Sequence, residues 1–206
     1  MQTDGAASGS EREILPREAL ERRLRSALEL APSAHAAHLA ILVAELNDQL
    51  GAADGLTLEA RFHLACSAPI AGVPPQDRAS QLRSVLVEAT RALGEVDVRT
   101  LQIRMQLARD ARAAGQLASA ADLYRDLRPD LERGVGELHD MTLTALRGQA
   151  ECEGYSGDPG EAVRLVNELI KRLTLLLGPS STLVAEARHA RTRLRRVRTA
   201  SWLGRA

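Results

Sequence analysis

The residue types best suited to chemistry in this sequence are its histidines and cysteines. His35 and His38 are three residues apart, so they would share one face of a helix, as two metal ligands must. No Cys, Asp or Glu at a familiar ligand spacing accompanies them, and no His-Glu-x-x-His motif is present. Cys66 and Cys152 lie far apart in sequence, with nothing beside them that would activate a thiolate. The sequence therefore predicts neither a metal site nor a catalytic cysteine.

The motifs of common enzyme classes are also missing. The sequence holds no nucleophile elbow, no Walker loop for phosphates, no dinucleotide-binding glycine fingerprint and no kinase signature. We therefore predict a protein that is not an enzyme and that uses no cofactor.

The arginines are the other group that could bind a ligand, and they are unevenly distributed. The net charge is zero, from 27 basic and 27 acidic residues, so no overall field marks a nucleic-acid or membrane binder. Residues 188–206, however, carry seven arginines and no acidic residue. From residue 183 onwards apolar residues recur at spacings of four and three, which predicts a helix that packs on the preceding hairpin or on a second chain: Leu183, Ala187, Ala190, Leu194 and Val197. A cap on the acidic remainder of the chain is favoured over phosphate contacts, because no nucleic-acid motif accompanies the arginines.

The composition predicts an all-α protein in the cytoplasm. Alanine and leucine dominate the apolar residues and aromatic residues make up only 2%, which favours helices over sheets. The longest apolar run, 39–44, is too short to cross a bilayer, and residues 1–11 lack the apolar region of a secretory signal. Two distant cysteines fit reduced thiols better than a disulfide framework.

Four markers recur through the chain at a period of about 42 residues. An apolar residue followed by glycine occurs at four places, at steps of 43, 42 and 42 residues: Leu50-Gly51, Leu93-Gly94, Val135-Gly136 and Leu177-Gly178. A Thr-Leu pair beginning at Thr57, Thr100 and Thr142, an acidic residue before it (Asp54, Asp97 and Asp140) and a further glycine (Gly72, Gly115 and Gly157) keep the same phase. Four independent markers in one phase predict a repeat protein.

Each repeat is expected to form two helices. The acidic residue would cap the first helix, which ends at the further glycine, and the second helix ends at the apolar-glycine pair. We therefore predict a disordered tail at 1–12 and a single helical-repeat domain at 13–206. Its repeats lie at about 15–50, 51–93, 94–135 and 136–177, followed by a C-terminal helix at 180–203.

The order of these markers resembles the tetratricopeptide repeat, and more narrowly the long kinesin-light-chain type common in actinobacterial proteins. The likeness extends over about 51–183 and is best in 93–124 and 136–177, which includes the stretch GDPGEAVRL. The resemblance implies a right-handed α-solenoid of helical hairpins with a C-terminal capping helix. It also implies that the first helices line a concave groove that binds a peptide or a partner protein.

Carried over by position, the resemblance places seven partner-binding residues in that groove: Phe62, Gln102, Met105, Arg109, Arg112, Arg147 and Glu151. The three arginines would suit an acidic peptide; the alternative is a solvated face whose arginines pair with Asp110, Glu151 and Glu153. Phe62 and Met105 would be apolar anchors, or would pack between neighbouring first helices. The chain departs from the family pattern at His63, Gln106 and Gly148, where asparagine is frequent, and at Gln149, where the family has leucine.

These observations predict an adaptor, a scaffold or the sensing arm of a regulatory system, with a protein or peptide as partner. One alternative is a homodimer that pairs through the Arg-rich last helix and Trp202. Others are a regulator that binds a small molecule or nucleic acid through the same arginines, and an accessory protein of a biosynthetic or defence pathway. A membrane partner is not expected, and nucleic acid is disfavoured.

Overall fold

The computed structural model describes residues 14–67, 75–156 and 158–203. In these ranges the chain forms nine α-helices and no strand, which confirms the predicted all-α class. The helices are α1 (Arg17–Leu28), α2 (Pro32–Leu50), α3 (Gly55–Ser67), α4 (Pro75–Leu93), α5 (Val98–Ala113), α6 (Leu117–Gly134), α7 (Asp140–Ser156), α8 (Pro159–Leu177) and α9 (Thr182–Leu203). The predicted tail 1–12 lies outside the described residues. The chain divides into two compact units, Met1–Gly72 and Val73–Ala206, called unit 1 and unit 2 below.

The helix boundaries follow the sequence markers. Gly51 and Gly178 directly follow α2 and α8 with φ of +91° and +80°, a region that glycine enters without steric cost. Pro75 and Pro159 begin α4 and α8, where the missing amide hydrogen costs nothing. Pro32 is likewise the first residue of α2.

The acidic marker of each repeat lies at the start of α3, α5 or α7, but its position relative to the helix differs in α7. Asp54 and Asp97 precede α3 and α5, and each carboxylate accepts a hydrogen bond from the amide two residues on, at 2.8 and 2.9 Å. In the next repeat α7 begins at Asp140 itself, and His139 Nδ1 lies 3.2 Å from the amide nitrogen of Met141. Asp140 thus lies in the first turn of α7, at the positive end of the helix dipole, because its marker stands one position later than in the other repeats.

Unit 1 consists of α1, α2 and α3 packed around a leucine core. The buried members of the core come from all three helices: Leu20, Leu24, Ala27, Leu39, Leu42, Leu46, Leu56 and Ala60. At the surface, Arg17 of α1 pairs with Asp54 at 2.9 Å, so this carboxylate both caps α3 and joins it to α1.

His63 of α3 is half-buried in unit 1, with its ring centroid 5.1 Å from that of Phe62. Burial lowers the pKa of His63 below its usual range, and the charge of His35 lowers it further. Because the folded state disfavours the protonated ring, the unfolded chain binds more protons once the pH falls below about 6.5. The contribution of His63 to stability is therefore complete above that pH and decreases as the pH falls towards its folded pKa.

We expect His63→Gln to reduce the loss of stability between about pH 7 and about pH 5, because it removes the group that must be protonated at a cost. Denaturant unfolding of both proteins at the two pH values measures the effect. His38→Gln, which changes an exposed histidine of the same unit, is the control. Equal pH dependence in wild type and His63→Gln would contradict the prediction.

Unit 2 consists of α4 to α9, in which consecutive helices pack against each other and α7 lies between α6 and α8. One buried cluster joins α5, α6 and α7: Leu101, Met105, Ala108, Ala120, Ala121, Tyr124, Leu127, Leu131, Ala145 and Cys152. A second joins α7, α8 and α9: Leu143, Leu146, Ala150, Leu165, Val166, Leu169, Leu173, Val184 and Ala187. α7 thus supplies side chains to both clusters.

A network of charges joins α6 to α8. Arg128 pairs with Glu168 at 3.0 Å, and Arg172 pairs with both Glu132 and Glu168 at 2.6 Å. The second guanidinium nitrogen of Arg128 donates to Gln149 Oε1 of α7 at 3.0 Å. Gln149 is buried, so its amide oxygen accepts the hydrogen bond that Arg128 directs towards the protein interior.

We expect Gln149→Leu to lower the free energy of unfolding by about 1–3 kcal/mol, because it leaves one nitrogen, Nη1, of the largely buried Arg128 guanidinium without an acceptor. Urea unfolding followed by circular dichroism measures the change. Gln149→Glu keeps an acceptor at the same place and should retain most of the stability. A leucine variant as stable as wild type would show that Arg128 does not need this partner.

Candidate functional site

Three of the predicted site residues meet on α5 and α7 of unit 2. The guanidinium of Arg112 pairs with one carboxylate oxygen of Glu151, and Arg147 Nε lies 3.7 Å from the other oxygen. All three side chains are more than a third exposed. They form an exposed group of ion pairs. Pairing of the arginines with Glu151 is what the alternative of a solvated face predicts.

The remaining polar residues of that face have separate surroundings. Asp110 accepts from an arginine of α4 at 2.9 Å, and Glu153 accepts from Arg125 of α6 at 2.5 Å. Arg109 is exposed and forms no ion pair within 4.0 Å in the part of the chain that the structure describes, while Gln102 is half-buried. Of the three predicted site arginines, Arg112 and Arg147 therefore pair with Glu151, whereas Arg109 has no ion pair among the described residues.

Met105 is a core residue and does not line a groove. Its side chain is only 3% exposed and belongs to the cluster that α5 shares with α6 and α7. The prediction of an apolar anchor is corrected here, because the first helices pack this position inwards, as the second alternative expected. Phe62 lies in unit 1, half-buried beside His63, and its role in binding stays a prediction.

A groove of about 760 Å³ opens between α7 and α9, with α8 as its floor. Most of its lining is apolar: Leu143, Ala150, Val166, Leu169, Leu173, Ala187, Ala190 and Leu194. Its polar lining residues come from α7 and α9: Asp140, Thr144, Arg147, Glu151, Glu186 and Arg193. The volume falls within the range of about 300–1,000 Å³ that is common for ligand sites.

Exposed apolar side chains mark both ends of this groove. Leu176 and Leu177 at the end of α8 and Leu183 at the start of α9 are 48%, 47% and 44% exposed, and all three line the groove. Tyr155, near the end of α7, is 80% exposed and also lines it. Exposed leucines and an aromatic ring that continue an apolar groove are typical of a surface that another molecule covers.

Of the seven predicted site residues only Arg147 and Glu151 line this groove, and sequence reasoning missed its leucines. A signal for them was present in the segment LTLLL at 173–177. An amphipathic helix has apolar residues every three or four positions, so three consecutive leucines cannot all be buried. Tyr155 had no such signal, because its exposure depends on where α7 ends in the packed unit.

α9 packs against α8, which matches the hairpin-docking alternative for its apolar residues. Val184 and Ala187 are buried, and Arg191 donates to the side-chain oxygen of Asn167 at 3.3 Å. Gly154 of α7 permits this arrangement, since a Cβ there would lie 2.6 Å from Cδ2 of Leu194. The side chains of Val197 and Trp202, which the sequence places on the same helix, lie outside the described residues.

The cysteine and histidine side chains of the described residues do not form a metal-binding group. Cys152 is buried, and its burial raises the pKa of the thiol, which disfavours the thiolate. His38 Nδ1 lies 2.9 Å from the carbonyl oxygen of Ala34. Within 14–67, 75–156 and 158–203, no three His, Cys, Asp or Glu side chains are grouped so that they could hold a metal ion. None of the helices described there is both long and apolar enough to span a bilayer.

Neither a protein-family model nor a curated protein matches this sequence, but several solved structures share its fold. A kinesin light chain protein of Podospora anserina with nearly identical TPR-like repeats is 18% identical over 89% of this chain and 85% of its own, with a TM-score of 0.69. This chain has the fold of a tetratricopeptide-like repeat solenoid. The predicted resemblance to kinesin-light-chain repeats is confirmed at the level of fold.

Two other tetratricopeptide-like neighbours are bacterial. BtubC from P. vanneervenii is 21% identical, with a TM-score of 0.53 over 82% of this chain and 63% of its own. PlcR of Bacillus thuringiensis, solved with the peptide PapR7 and DNA, is 15% identical, with a TM-score of 0.60 over 87% of this chain and 62% of its own. This tetratricopeptide-like chain therefore spans less than two thirds of either protein, and at these identities the likeness concerns the fold.

Proposed function

We propose that this tetratricopeptide-like protein is a non-catalytic interaction module that holds an apolar segment of a peptide or partner protein between α7 and α9. The observation that supports this proposal is the apolar groove of about 760 Å³ with exposed Leu176, Leu183 and Tyr155 at its ends. From Leu183 to Leu194 the groove follows α9 for about 16 Å, which is the length of about three turns of a bound helix. An open groove of this kind suits non-covalent binding better than catalysis, which needs a closed, dry cavity.

A peptide ligand is also in keeping with the comparisons. The structure of PlcR contains the peptide PapR7, so a protein with a similar fold occurs together with a peptide. An adaptor or the sensing arm of a regulatory system would use the groove in the same non-covalent way. Arg147 and Glu151 would select polar groups at its rim, and Arg112 would act through Glu151. Phe62 in unit 1, and Gln102 and Arg109 in unit 2, stay predicted binding residues.

The test uses peptides selected from a random display library against the wild-type protein. We expect Tyr155→Ala combined with Leu176→Ser to weaken binding of the selected peptides at least about tenfold, because both side chains are exposed apolar contacts of the groove. Val87→Ser is the matched control, since the exposure of Val87, 62%, lies between those of the two groove residues and Val87 lies on α4, outside the groove lining. Failure to select any peptide, or equal binding by both variants, would overturn the proposal.

Self-association is a second candidate because Leu175, beside the groove, is 72% exposed and the neighbouring Leu176 and Leu177 are half exposed. Two copies could cover these leucines in a homodimer through the C-terminal region. Sedimentation equilibrium at increasing concentration tests this, and Leu175→Ser should shift a dimer towards the monomer. A constant monomer mass would exclude it.

A further inference from the structure

The charges of the groove are separated along its length. α7 and α9 run in the same direction, because each is joined to α8 by a short connection and packs against it. Asp140 and Glu186 lie near the starts of α7 and α9, and Arg147 and Arg193 each follow seven residues later. Seven residues of helix correspond to about 10 Å, so the groove has an acidic end and a basic end.

The acidic end has no basic side chain of its own. Within the described residues, neither Asp140 nor Glu186 forms an ion pair within 4.0 Å. Arg188, in the same part of α9, donates to the carbonyl oxygen of Pro179 at 3.3 Å and does not line the groove. Two carboxylates therefore remain available to a bound molecule.

The basic end has more positive than negative groups. Arg193 is exposed and forms no ion pair within 4.0 Å among the described residues. Arg147 reaches Glu151 only at 3.7 Å, and the same carboxylate also pairs with Arg112. Two guanidinium groups thus share one carboxylate and Arg193 pairs with none of the described residues, which leaves donors for an acidic ligand group.

We infer that the groove binds an amphipathic segment of a partner protein whose charge is polarised along its length. Basic side chains of this segment lie over Asp140 and Glu186, acidic side chains lie over Arg147 and Arg193, and apolar side chains fill the floor. The inference rests on the proposed function and specifies its ligand. Apolar burial supplies most of the affinity, while the charges fix the orientation and reject other segments.

The chain's own ends do not have the required chemistry. Residues 1–13 contain almost no large apolar side chain, so they cannot fill an apolar groove. The Arg-rich end at 188–206 has no acidic residue, so a second copy cannot place acidic groups over Arg147 and Arg193 with it. Neither of these two segments therefore supplies the apolar and oppositely charged groups that the groove would bind.

The experiment uses three peptides of about 15 residues, the length of α7 from Asp140 to Tyr155, with the same apolar positions. One carries lysines at one end and glutamates at the other, one carries only lysines, and one carries only glutamates. Because each exposed charge contact is weak and four act together, we expect the wild-type protein to bind the polarised peptide about tenfold more tightly than either uniform peptide.

Charge reversal in the protein then tests the assignment of the basic end. Arg147→Glu combined with Arg193→Glu makes the groove acidic throughout, so preference should move to the lysine peptide. Arg83→Glu, an exposed substitution on α4 outside the groove lining, should leave the preference for the polarised peptide unchanged. Circular dichroism checks the fold, and the neutral pair Arg147→Gln with Arg193→Gln should lose discrimination even if charge reversal impairs folding.

The outcomes separate the two proposals. If all three peptides bind the wild type equally and Tyr155→Ala with Leu176→Ser weakens them all, the charge inference is overturned while the interaction groove stands. If the preference does not respond to the charge variants, the inference is likewise overturned. If no peptide binds to the groove at all, the proposed function and the inference both fail.

Discussion

Gly148→Ala should lower the free energy of unfolding of unit 2 by about 2–3 kcal/mol, at the upper end of the cost of overpacking a core. A Cβ at this position of α7 would lie 2.6, 2.8 and 3.0 Å from three ring atoms of Tyr124. Tyr124 is fully buried in the cluster formed by α5, α6 and α7, so its ring has no free space into which to move. Burial of this ring also raises the pKa of its hydroxyl. Urea unfolding of the two proteins measures the effect.

Gly160→Ala is the matched control for this substitution. Gly160 is also a helical glycine of unit 2, but it is exposed, and a Cβ there meets only the carboxylate of Asp158 at 3.3 Å. We expect this change to be neutral or slightly stabilising, because alanine has the higher helix propensity. In addition, Tyr124→Leu should partly offset Gly148→Ala, since the two positions are in contact. Equal stability of both alanine variants would contradict the steric account.

The second large effect is expected at Gly154, where α7 approaches α9. Gly154→Val places methyl groups where Leu194 of α9 now lies, since even a Cβ would be 2.6 Å from Leu194 Cδ2. We expect the later part of α9 to lose its packing and the groove to lose one wall. Peptides selected on the wild type should then bind at least about tenfold more weakly, and amides of 188–196 should exchange faster with solvent.

Leu194→Ala distinguishes displacement of α9 from loss of a single contact. In the double variant Gly154→Ala with Leu194→Ala, the shorter side chain at position 194 leaves room for the new Cβ at position 154. We therefore expect this double variant to retain more peptide affinity than Gly154→Val. Unchanged hydrogen exchange of α9 in Gly154→Val would contradict the prediction, because the new methyl groups would then have found room without moving the helix.

Both departures from the tetratricopeptide pattern in α7 are explained by neighbouring helices. Gly148 stands where asparagine is frequent because the Tyr124 ring occupies the space that a side chain would need. Gln149 stands where leucine is usual because Arg128 of α6 takes it as an acceptor. Neither reason is visible in the sequence, since Tyr124 and Arg128 become neighbours of these positions only when α6 packs on α7.

The sequence by itself determined the helices and nearly all their boundaries. Repeating glycines, prolines at the first helical position and capping aspartates such as Asp54 and Asp97 act through the backbone within a few residues, so their effect can be predicted locally. Only the tertiary structure decided where a ligand could bind. Met105 is buried and Leu176 exposed although both are apolar residues of amphipathic helices, because exposure depends on which neighbouring helix covers each position. No element covers the space between α7 and α9 in the described chain, and the groove therefore lies there.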